Sequence, residues 1–283
     1  MLQRIITAAV LIAILLPVLF FSWQLAWLIP ALAALMALCA VYELLKCLGS
    51  ERDWAVAIPA YLISICLPLV TVWCEGIAAY LLVAVAVLAV YLIYLFTVAV
   101  LRRGRMTFAS VASAYVGVVY ITLALASLAL LRHKTADGGY LYLLVFFGAW
   151  VTDTFAYFTG RFFGKHKLNP EISPKKTVEG SIGGILFCML SFVGFGLVMR
   201  YAYGRTVNYV MLLLAGLICS FVSQVGDLIT SMIKRERGIK DFGRIFPGHG
   251  GVLDRFDSVL AISPILLILC NLTALGDSFA LLS

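Results

Sequence analysis

The stretch MLLLAGLICSFVSQVGDLITSMIK, residues 211–234, is an apolar run that contains a single carboxylate, Asp227. Roughly 20 mostly apolar residues are enough for a helix to cross a bilayer. An ionised carboxylate inside such a span costs on the order of 3 kcal/mol, so it usually faces a partner or a wet cavity. Polar side chains recur at three- and four-residue steps, which places them on one side of a helix: Ser220, Ser223, Gln224, Asp227, Ser231 and Lys234. The stretch therefore predicts a membrane-spanning helix with one polar face.

Apolar runs of this kind recur along the whole chain of 283 residues. Hydrophobic residues make up 63% and charged residues 12%, whereas soluble domains are about half apolar and a quarter charged. Nine runs are long enough to span a bilayer: 5–22, 25–45, 54–74, 77–101, 108–131, 140–160, 181–203, 208–230 and 259–281. We therefore expect an all-α, polytopic integral membrane protein with about nine transmembrane helices, folded as a single domain over residues 1–283.

The basic residues predict the orientation of these spans. Seventeen of the 21 lysines and arginines fall on the side of the N-terminus in the nine-span arrangement. The positive-inside rule then puts the N-terminus and both long polar loops, 161–180 and 231–258, in the cytoplasm of a multi-pass cell-membrane protein. This topology accounts for the net charge of +7, and no nucleic-acid-binding motif accompanies it. We therefore expect a lipid bilayer and no nucleic acid among the partners.

The two halves of the sequence differ in chemistry. Residues 1–131 contain apolar runs with few polar side chains, as expected for scaffold spans. Residues 140–258 hold nearly all of the chemically useful groups, so we expect a catalytic region there, on the cytoplasmic side, before a last span at 259–281. The seven cysteines are scattered without a CxxC pair, and we expect them to pack as small apolar residues.

A second carboxylate, Asp153, lies inside the apolar run 140–165. Tyr157, Gly160 and Gly164 follow it on one helix face, and the glycines would allow another helix to approach closely. Two interpretations of Asp153 stay open, a functional carboxylate that faces a cavity or a structural hydrogen bond near the helix end. The same alternatives apply to Asp227, where the polar stripe favours a functional carboxylate that faces a cavity.

The first polar loop, residues 161–184, contains two helix-breaking X-Pro pairs, at 169–170 and 173–174. Lys175 and Lys176 follow at once, just before the next apolar run. Lysines beside a hydroxyl and the free N–H groups of a helix start are suited to bind phosphate. The same lysines are equally typical of an anchor that pairs with lipid headgroups, so both interpretations stay open.

The second polar loop, residues 231–258, combines glycines with charges in a fixed order. Asp254 follows Gly250-Gly251. Carboxylate oxygens are the ligands that hard divalent cations such as Mg²⁺ prefer, and glycines let the backbone approach a phosphate chain. Asp227 and Asp254 come from neighbouring elements, so they could share a metal ion. The alternative is a solvated loop, which would predict interchangeable charges rather than this order.

At these positions the chain resembles the phosphatidate cytidylyltransferase (CDP-diacylglycerol synthase) family. The family signature is matched by Ser-x-apolar-Lys-Arg at 231–235, Lys-Asp-x-Gly at 240–243 and apolar-Pro-x-His-Gly-Gly-apolar-x-Asp-Arg-apolar-Asp at 246–257. Residues 153–157 and 173–180 also resemble the family. Residues 1–131 are similar to it only in hydropathy.

The resemblance implies that CTP and phosphatidate are the substrates of a nucleotidyltransferase, which forms CDP-diacylglycerol and pyrophosphate for phospholipid biosynthesis. It implies Mg²⁺ as the cofactor, allows a second cation, and implies a homodimer. The expected catalytic residues are Asp227, Asp254, Lys234, Arg255 and His249. The expected substrate-binding residues are Lys175, Lys176, Arg235, Lys240, Asp241, Gly250, Gly251 and Asp257. The expected metal ligands are Asp227, Asp254 and Asp153, although Asp153 could instead orient a ligand, and the role of His249 stays open.

Two other functions remain as alternatives. A CTP-dependent lipid-alcohol kinase would transfer the terminal phosphoryl group to a hydroxyl and would release CDP instead of pyrophosphate. An ion or solute transporter would use Asp153 and Asp227 as intramembrane carboxylates, and it predicts broken helices and internal repeats. A transporter has no need of the ordered His-Gly-Gly loop, so the sequence favours the nucleotidyltransferase.

Overall fold

The computed structural model of the chain describes residues 25, 27–103, 106–246, 250–272 and 280–282. The predicted span 5–22 and the predicted role of His249 lie outside these described residues. The described part is mostly helical, with its elements in the order α1 (Leu28–Cys47), α2 (Trp54–Val70), α3 (Ile77–Leu101), α4 (Phe108–Lys134), α5 (Gly138–Leu141), α6 (Leu143–Phe163), β1 (Lys167–Asn169), β2 (Ser173–Thr177), α7 (Val178–Tyr203), α8 (Tyr209–Glu236) and α9 (Leu253–Cys270).

Among the described residues, six helices are long and apolar enough to cross a membrane: α1, α3, α4, α5 together with α6, α7 and α8. The helix α3 has the same bounds as the predicted span 77–101, because an unbroken apolar run sets both its start and its end. The helix α2 is apolar but has only 17 residues, and α9 carries three charged residues near its start. The chain is thus a mostly helical, polytopic membrane protein, and the count of nine spans stays a prediction.

The chain divides into two compact units, of which the first comprises residues 1–134 and 237–256. Within it, α1 packs against α2 and α4, and α3 packs against α2 and α4. The small buried residues Ala33, Ala37 and Ala40 recur at three- and four-residue steps on α1 and let neighbouring helices approach closely. The opposite arrangement holds on α3, where apolar side chains such as Leu82 and Val90 are exposed, as expected for a helix that faces lipid.

A polar contact joins two helix ends of the first unit. The side chain of Asp53 accepts a hydrogen bond from the backbone N–H of Ala55 (3.2 Å), which caps the N-terminus of α2. Asp53 also forms a two-pronged ion pair with the guanidinium of Arg102 at the end of α3; one prong, from Nη2 to Oδ1, measures 2.9 Å. This hydrogen-bonded guanidinium holds the pKa of Asp53 below its ordinary value.

The second unit comprises residues 135–236 and 257–283. Its helices α6, α7 and α8 all contact one another. Close packing of α6 on α7 depends on glycines, as the small residues near Asp153 predict. A Cβ atom added to Gly180 would lie 2.6 Å from the backbone oxygen of Ala156, and one added to Gly160 would lie 2.7 Å from Oγ1 of Thr177. The backbones of these two helices therefore lie in direct contact at the end where the first polar loop joins them.

The all-α prediction is incomplete, because the first polar loop forms a short antiparallel hairpin of β1 and β2. Lys167 pairs with Thr177, and Asn169 pairs with Ser173. The side chain of Asn169 accepts a hydrogen bond from the N–H of Ile172 (3.1 Å), which closes the turn. The helix α6 ends at Phe163, before the first X-Pro pair, and both pairs lie in or beside the hairpin strands. Strands this short leave no alternation pattern in the sequence.

The second polar loop is grouped differently from the predicted division. Residues 237–256 belong to the compact unit of residues 1–134, whereas the sequence placed them with the catalytic region 140–258. The reason is long-range packing: the loop contacts α1, as described below. The scaffold role of residues 1–131 stays a prediction. The single-domain organisation stays a prediction.

Candidate functional site

A cavity of about 300 Å³ lies in the second unit, where α6 ends, the hairpin follows and α7 begins. Its lining residues come from these elements and from α8: Asp153, Ala156, Tyr157, Gly160, Arg161, Leu168, Lys175, Lys176, Thr177, Gly180, Ser181, Gln224 and Asp227. Thr177 caps the N-terminus of α7 by accepting the N–H of Gly180 (3.2 Å). The cavity thus joins carboxylates, cationic side chains and a helix N-terminus, a combination suited to bind phosphate groups.

Asp227 and Lys176 form the closest charge pair of the cavity. Nζ of Lys176 lies 2.5 Å from Oδ2 of Asp227, and the two side chains are 26% and 28% exposed. The other oxygen, Oδ1, accepts a hydrogen bond from Oγ of Ser231, one helical turn further along α8 (3.3 Å). The polar stripe of α8 thus meets other elements of the second unit: Gln224 donates to the backbone oxygen of Ser181 in α7 (3.3 Å), and Asp227 lies against Lys176 of the hairpin.

Two further carboxylates lie near Asp227 in the second unit. Oδ2 of Asp153 accepts a hydrogen bond from Oγ of Ser258 (3.4 Å). Asp257 accepts hydrogen bonds from the backbone N–H of Ser258 (2.8 Å) and from Oγ1 of Thr230 (3.1 Å). Asp153 lies near enough to Asp257 and Asp227 for the three carboxylates to form one cluster.

The donor atoms of this cluster fit a hard divalent cation. Mg²⁺ prefers carboxylate oxygens as ligands. Asp227 already pairs with one cationic group, the ammonium of Lys176. Within the described residues, no group of three or more His, Cys, Asp or Glu side chains converges to form a complete metal cage. Mg²⁺ commonly takes only one or two protein carboxylates and completes its shell with waters and substrate phosphates, so the arrangement is consistent with it.

The remaining predicted cationic residues of the second unit surround the hairpin. Lys175 is exposed on β2 and lines the cavity together with Arg161. Arg235, near the end of α8, donates from Nε to the backbone oxygen of Ile172 in the hairpin turn (3.4 Å). The charge of Lys234 offsets that of Asp257. These residues, predicted separately from two loops, therefore occupy one end of the second unit.

The second polar loop places Asp254 in the first turn of α9, within the first unit. Its Oδ2 accepts hydrogen bonds from the backbone N–H groups of Phe242 (2.8 Å) and Gly251 (3.0 Å). Phe246 and Gly250 form an antiparallel bridge, and the positive φ of 89° at Gly250 explains the glycine there. The other predicted residues of this loop that are described, Lys240, Asp241 and Arg255, are exposed.

Sequence reasoning missed two carboxylates. Glu43 is buried on α1 and accepts the backbone N–H groups of Val252 (3.0 Å) and Leu253 (2.9 Å). Glu179, in the first turn of α7, accepts the N–H of Lys165 (3.1 Å) and lies 2.6 Å from Nδ1 of His166. The signal for Glu43 was present, since a carboxylate in an apolar run is as costly there as it is at Asp153 or Asp227.

The sequence pattern of the cytidylyltransferase family matches residues 2–273. The chain belongs to the cytidylyltransferase family. A phosphatidate cytidylyltransferase of Staphylococcus haemolyticus is 35% identical over 272 residues, which cover 94% of this chain and 97% of the relative. The phosphatidate cytidylyltransferases of Staphylococcus epidermidis and Staphylococcus aureus are each 36% identical over 273 residues, with the same coverage of 94% and 97%.

The predicted site residues of this cytidylyltransferase fall into both units. Asp153, Asp227, Asp257 and the hairpin lysines are brought together in the second unit, whereas Asp254 lies in the first. A metal ion shared by Asp227 and Asp254 stays a prediction. The family signature at 231–257 contributes to both units, because its first five residues belong to α8 and its last twelve to the loop and the start of α9.

Proposed function

We propose that this chain transfers the cytidylyl group of CTP to phosphatidate, forming CDP-diacylglycerol and pyrophosphate for phospholipid biosynthesis. Membership of the cytidylyltransferase family and full-length relatives named phosphatidate cytidylyltransferase support this activity. The single structural observation that carries it is the cavity of the second unit, where Asp153 and Asp227 meet Arg161, Lys175 and Lys176 at the end of membrane helices. This is a charged site that an amphipathic anionic lipid and a nucleotide triphosphate can both use.

The reaction needs no nucleophile from the protein. An oxygen of the phosphatidate phosphate, which is already anionic, forms a new bond to the α-phosphorus of CTP. The bond between that phosphorus and the oxygen bridging to the β-phosphate breaks, and pyrophosphate leaves with the electron pair. The barrier arises from repulsion between two anions and from charge that develops on the leaving group, so positioning and electrostatic stabilisation carry the catalysis.

The cationic residues of the cavity supply that stabilisation in our proposal. Lys176 lies against Asp227, so its ammonium is already in the cavity when phosphate arrives. Lys175 and Arg161 add further positive charge to the lining of the cavity. The N-terminus of α7, with the N–H groups of its first turn, favours an anion at the same end.

Mg²⁺ is the cofactor that these residues fit. We propose that Asp227 holds it, with Asp153 as a further ligand or as a group that orients one, and with Asp254 as the ligand expected from the sequence. A bound cation would offset phosphate charge and stabilise the leaving pyrophosphate. A second cation would be accommodated by the same excess of carboxylates.

The setting of the reaction follows from the membrane helices. We propose that the acyl chains of phosphatidate remain in the bilayer of the cell membrane while the headgroup enters the polar cavity. The excess of lysine and arginine on the N-terminal side supports a cytoplasmic position for the hairpin and the signature loop, where CTP is found. A homodimer is also part of the proposal.

Product analysis tests the proposal. Purified protein is incubated with Mg²⁺, phosphatidate and CTP that is labelled either at the α- or at the γ-phosphate. We expect the α label in the lipid and the γ label in pyrophosphate. The γ label in the lipid, or no label in the lipid from folded protein, would contradict cytidylyl transfer.

A further inference from the structure

The buried carboxylate of Glu43 has no part in the chemistry proposed above. It lies near the C-terminal end of α1, and the residue is only 1% exposed. A buried ionised group is strongly destabilising unless hydrogen-bond donors satisfy it. The position of Glu43 in an apolar helix therefore raises the question of what its oxygens bind.

Each oxygen of Glu43 accepts a backbone N–H group at the start of α9. Oε1 accepts the N–H of Val252 at 3.0 Å, and Oε2 accepts the N–H of Leu253 at 2.9 Å. The first N–H groups of a helix have no partner within the helix, and their dipoles favour a negative charge. One carboxylate thus satisfies two adjacent donors, and it does so from 209 and 210 residues away in the sequence.

Two glycines of the signature loop make room for this carboxylate. A Cβ atom added to Gly251 would overlap both carboxylate oxygens of Glu43, and one added to Gly243 would overlap Oε1. The loop therefore closes around Glu43 from two points of its sequence. Neither glycine has a positive φ, so the close approach, and not the backbone conformation, explains the absence of a side chain.

The same segment also holds Asp254. Oδ2 of Asp254 accepts the N–H of Gly251 (3.0 Å), the residue directly before the two whose N–H groups Glu43 binds. The N–H of Phe242 donates to that oxygen as well (2.8 Å). Glu43 and Asp254 thus bind three consecutive N–H groups, those of residues 251–253. Any shift of this backbone would move the carboxylate of Asp254.

We infer that Glu43 is a positioning residue, whose carboxylate fixes the backbone of residues 251–253 and thereby the orientation of Asp254. The inference rests on the proposed function, in which Asp254 takes part in the reaction. Groups that orient a metal ligand commonly affect metal affinity or activity as much as 10- to 100-fold. Glu43 therefore tunes the response to Mg²⁺ without touching a substrate.

Hydrogen exchange of the backbone amides tests the structural half of this inference without Mg²⁺ or substrate. Glu43→Gln keeps the shape of the side chain and one acceptor oxygen, but it loses the charge and one acceptor. We expect the amides of Val252 and Leu253 to exchange about 10-fold faster, since a hydrogen bond to a charged group is lost. Glu75→Gln makes the same chemical change at an exposed turn residue and is the matched control.

The Mg²⁺ dependence of the reaction tests the positioning role. A mere loss of folded protein would lower the maximal rate and leave the Mg²⁺ activation constant unchanged. For Glu43→Gln we expect that constant to rise about 10-fold, while the KM for CTP changes much less. Unchanged exchange at residues 251–253 together with an unchanged Mg²⁺ activation constant would overturn the inference.

Gly251→Ala provides a second variant that leaves Glu43 in place. Its methyl group would displace the Glu43 carboxylate, so we expect the same faster exchange at Val252 and Leu253. The effects of Glu43→Ala and Gly251→Ala on amide exchange at Val252 and Leu253 should then be non-additive. The double variant should exchange no faster than Glu43→Ala alone. Additive effects of the two substitutions would contradict the inference. Failure of the parent protein to form CDP-diacylglycerol would instead contradict the proposed function, and the exchange result would stand independently.

Discussion

Glu43 and Asp254 of the first unit and Asp227 of the second bind different kinds of partner. In the first unit, Glu43 and Asp254 accept hydrogen bonds from backbone N–H groups of the signature loop and the start of α9. In the second unit, Asp227 pairs with the ammonium of Lys176 and the hydroxyl of Ser231. Backbone donors cannot leave without unfolding the loop, whereas a lysine side chain can turn from a carboxylate to a phosphate.

This difference separates two tasks. Carboxylates that bind backbone determine the shape of a loop, and those that bind mobile side chains provide charge that a ligand can share. We therefore expect substitutions in the second unit to change charge and catalysis first. Substitutions of Glu43 and Asp254 should loosen the loop as well.

The largest effect is expected for Asp227→Asn. Loss of this charge leaves Lys176 without its partner and removes the proposed Mg²⁺ ligand, so turnover should fall by about 10²–10³-fold or more. Rates of CDP-diacylglycerol formation by folded, detergent-purified protein measure it. Glu171→Gln, an exposed position in the hairpin turn, is the control, and near-normal activity of Asp227→Asn would refute the assignment.

A smaller loss is expected for Lys176→Ala. The variant removes the cation nearest Asp227, so kcat/KM for CTP should fall roughly 10- to 100-fold, as for the loss of a charge-assisted hydrogen bond. Lys167→Ala, an exposed lysine on the other strand of the hairpin, should stay within a factor of two or so of the parent. Equal losses in both variants would mean that the hairpin lysines act only as a general basic surface.

Gly180→Ala tests the packing that positions the cavity. The added methyl group would lie 2.6 Å from the backbone oxygen of Ala156, so the variant should lose about 1–3 kcal/mol of stability. Thermal unfolding in detergent measures this loss. Gly194→Ala in the same helix meets no atom within 4 Å and should be neutral or slightly stabilising. A stable Gly180→Ala variant would contradict the close contact of α6 and α7.

The smallest effect is expected for Arg102→Ala in the first unit. Arg102 lowers the pKa of Asp53, so the pair stabilises the folded state above the ordinary aspartate pKa of about 3.9, and this contribution is lost as the pH falls through the lowered pKa. At neutral pH the unfolding temperature should fall by no more than about 3 °C. Arg52→Ala, an exposed neighbour, is the control. A difference that does not decrease as the pH falls below about 3.9 would contradict the ion pair as its cause.

Local patterns in the sequence were sufficient for much of this structure. The bounds of α3 follow from apolar length, and the polar stripe of α8 follows from three- and four-residue spacing. The hairpin was missed because strands of three and five residues are too short to show alternation. The role of Glu43 was missed because its partners lie more than 200 residues away, a distance that no local pattern spans.

Local patterns also failed to reveal the partners of the predicted site residues. The sequence identified Asp227 as a candidate because a carboxylate is costly in an apolar span. It identified Lys176 and Asp254 because they lie in polar loops with a distinctive order of residues. Their partners depend on tertiary packing: the sequence left Lys176 open between phosphate and lipid headgroups, and in the structure it also pairs with Asp227. The grouping of residues 237–256 with residues 1–134 likewise follows from contacts that only folding creates.

The most direct test of the two tasks is amide hydrogen exchange in Asp254→Asn and Asp227→Asn, each compared with the parent protein without Mg²⁺. Asp254→Asn should speed exchange at Phe242 and Gly251 by about 10-fold, because both N–H groups donate to its Oδ2. Asp227→Asn should leave exchange along residues 224–235 of α8 unchanged, because its side-chain partners are side chains. Unchanged exchange at Phe242 and Gly251 in Asp254→Asn, or faster exchange along α8 in Asp227→Asn, would contradict the account.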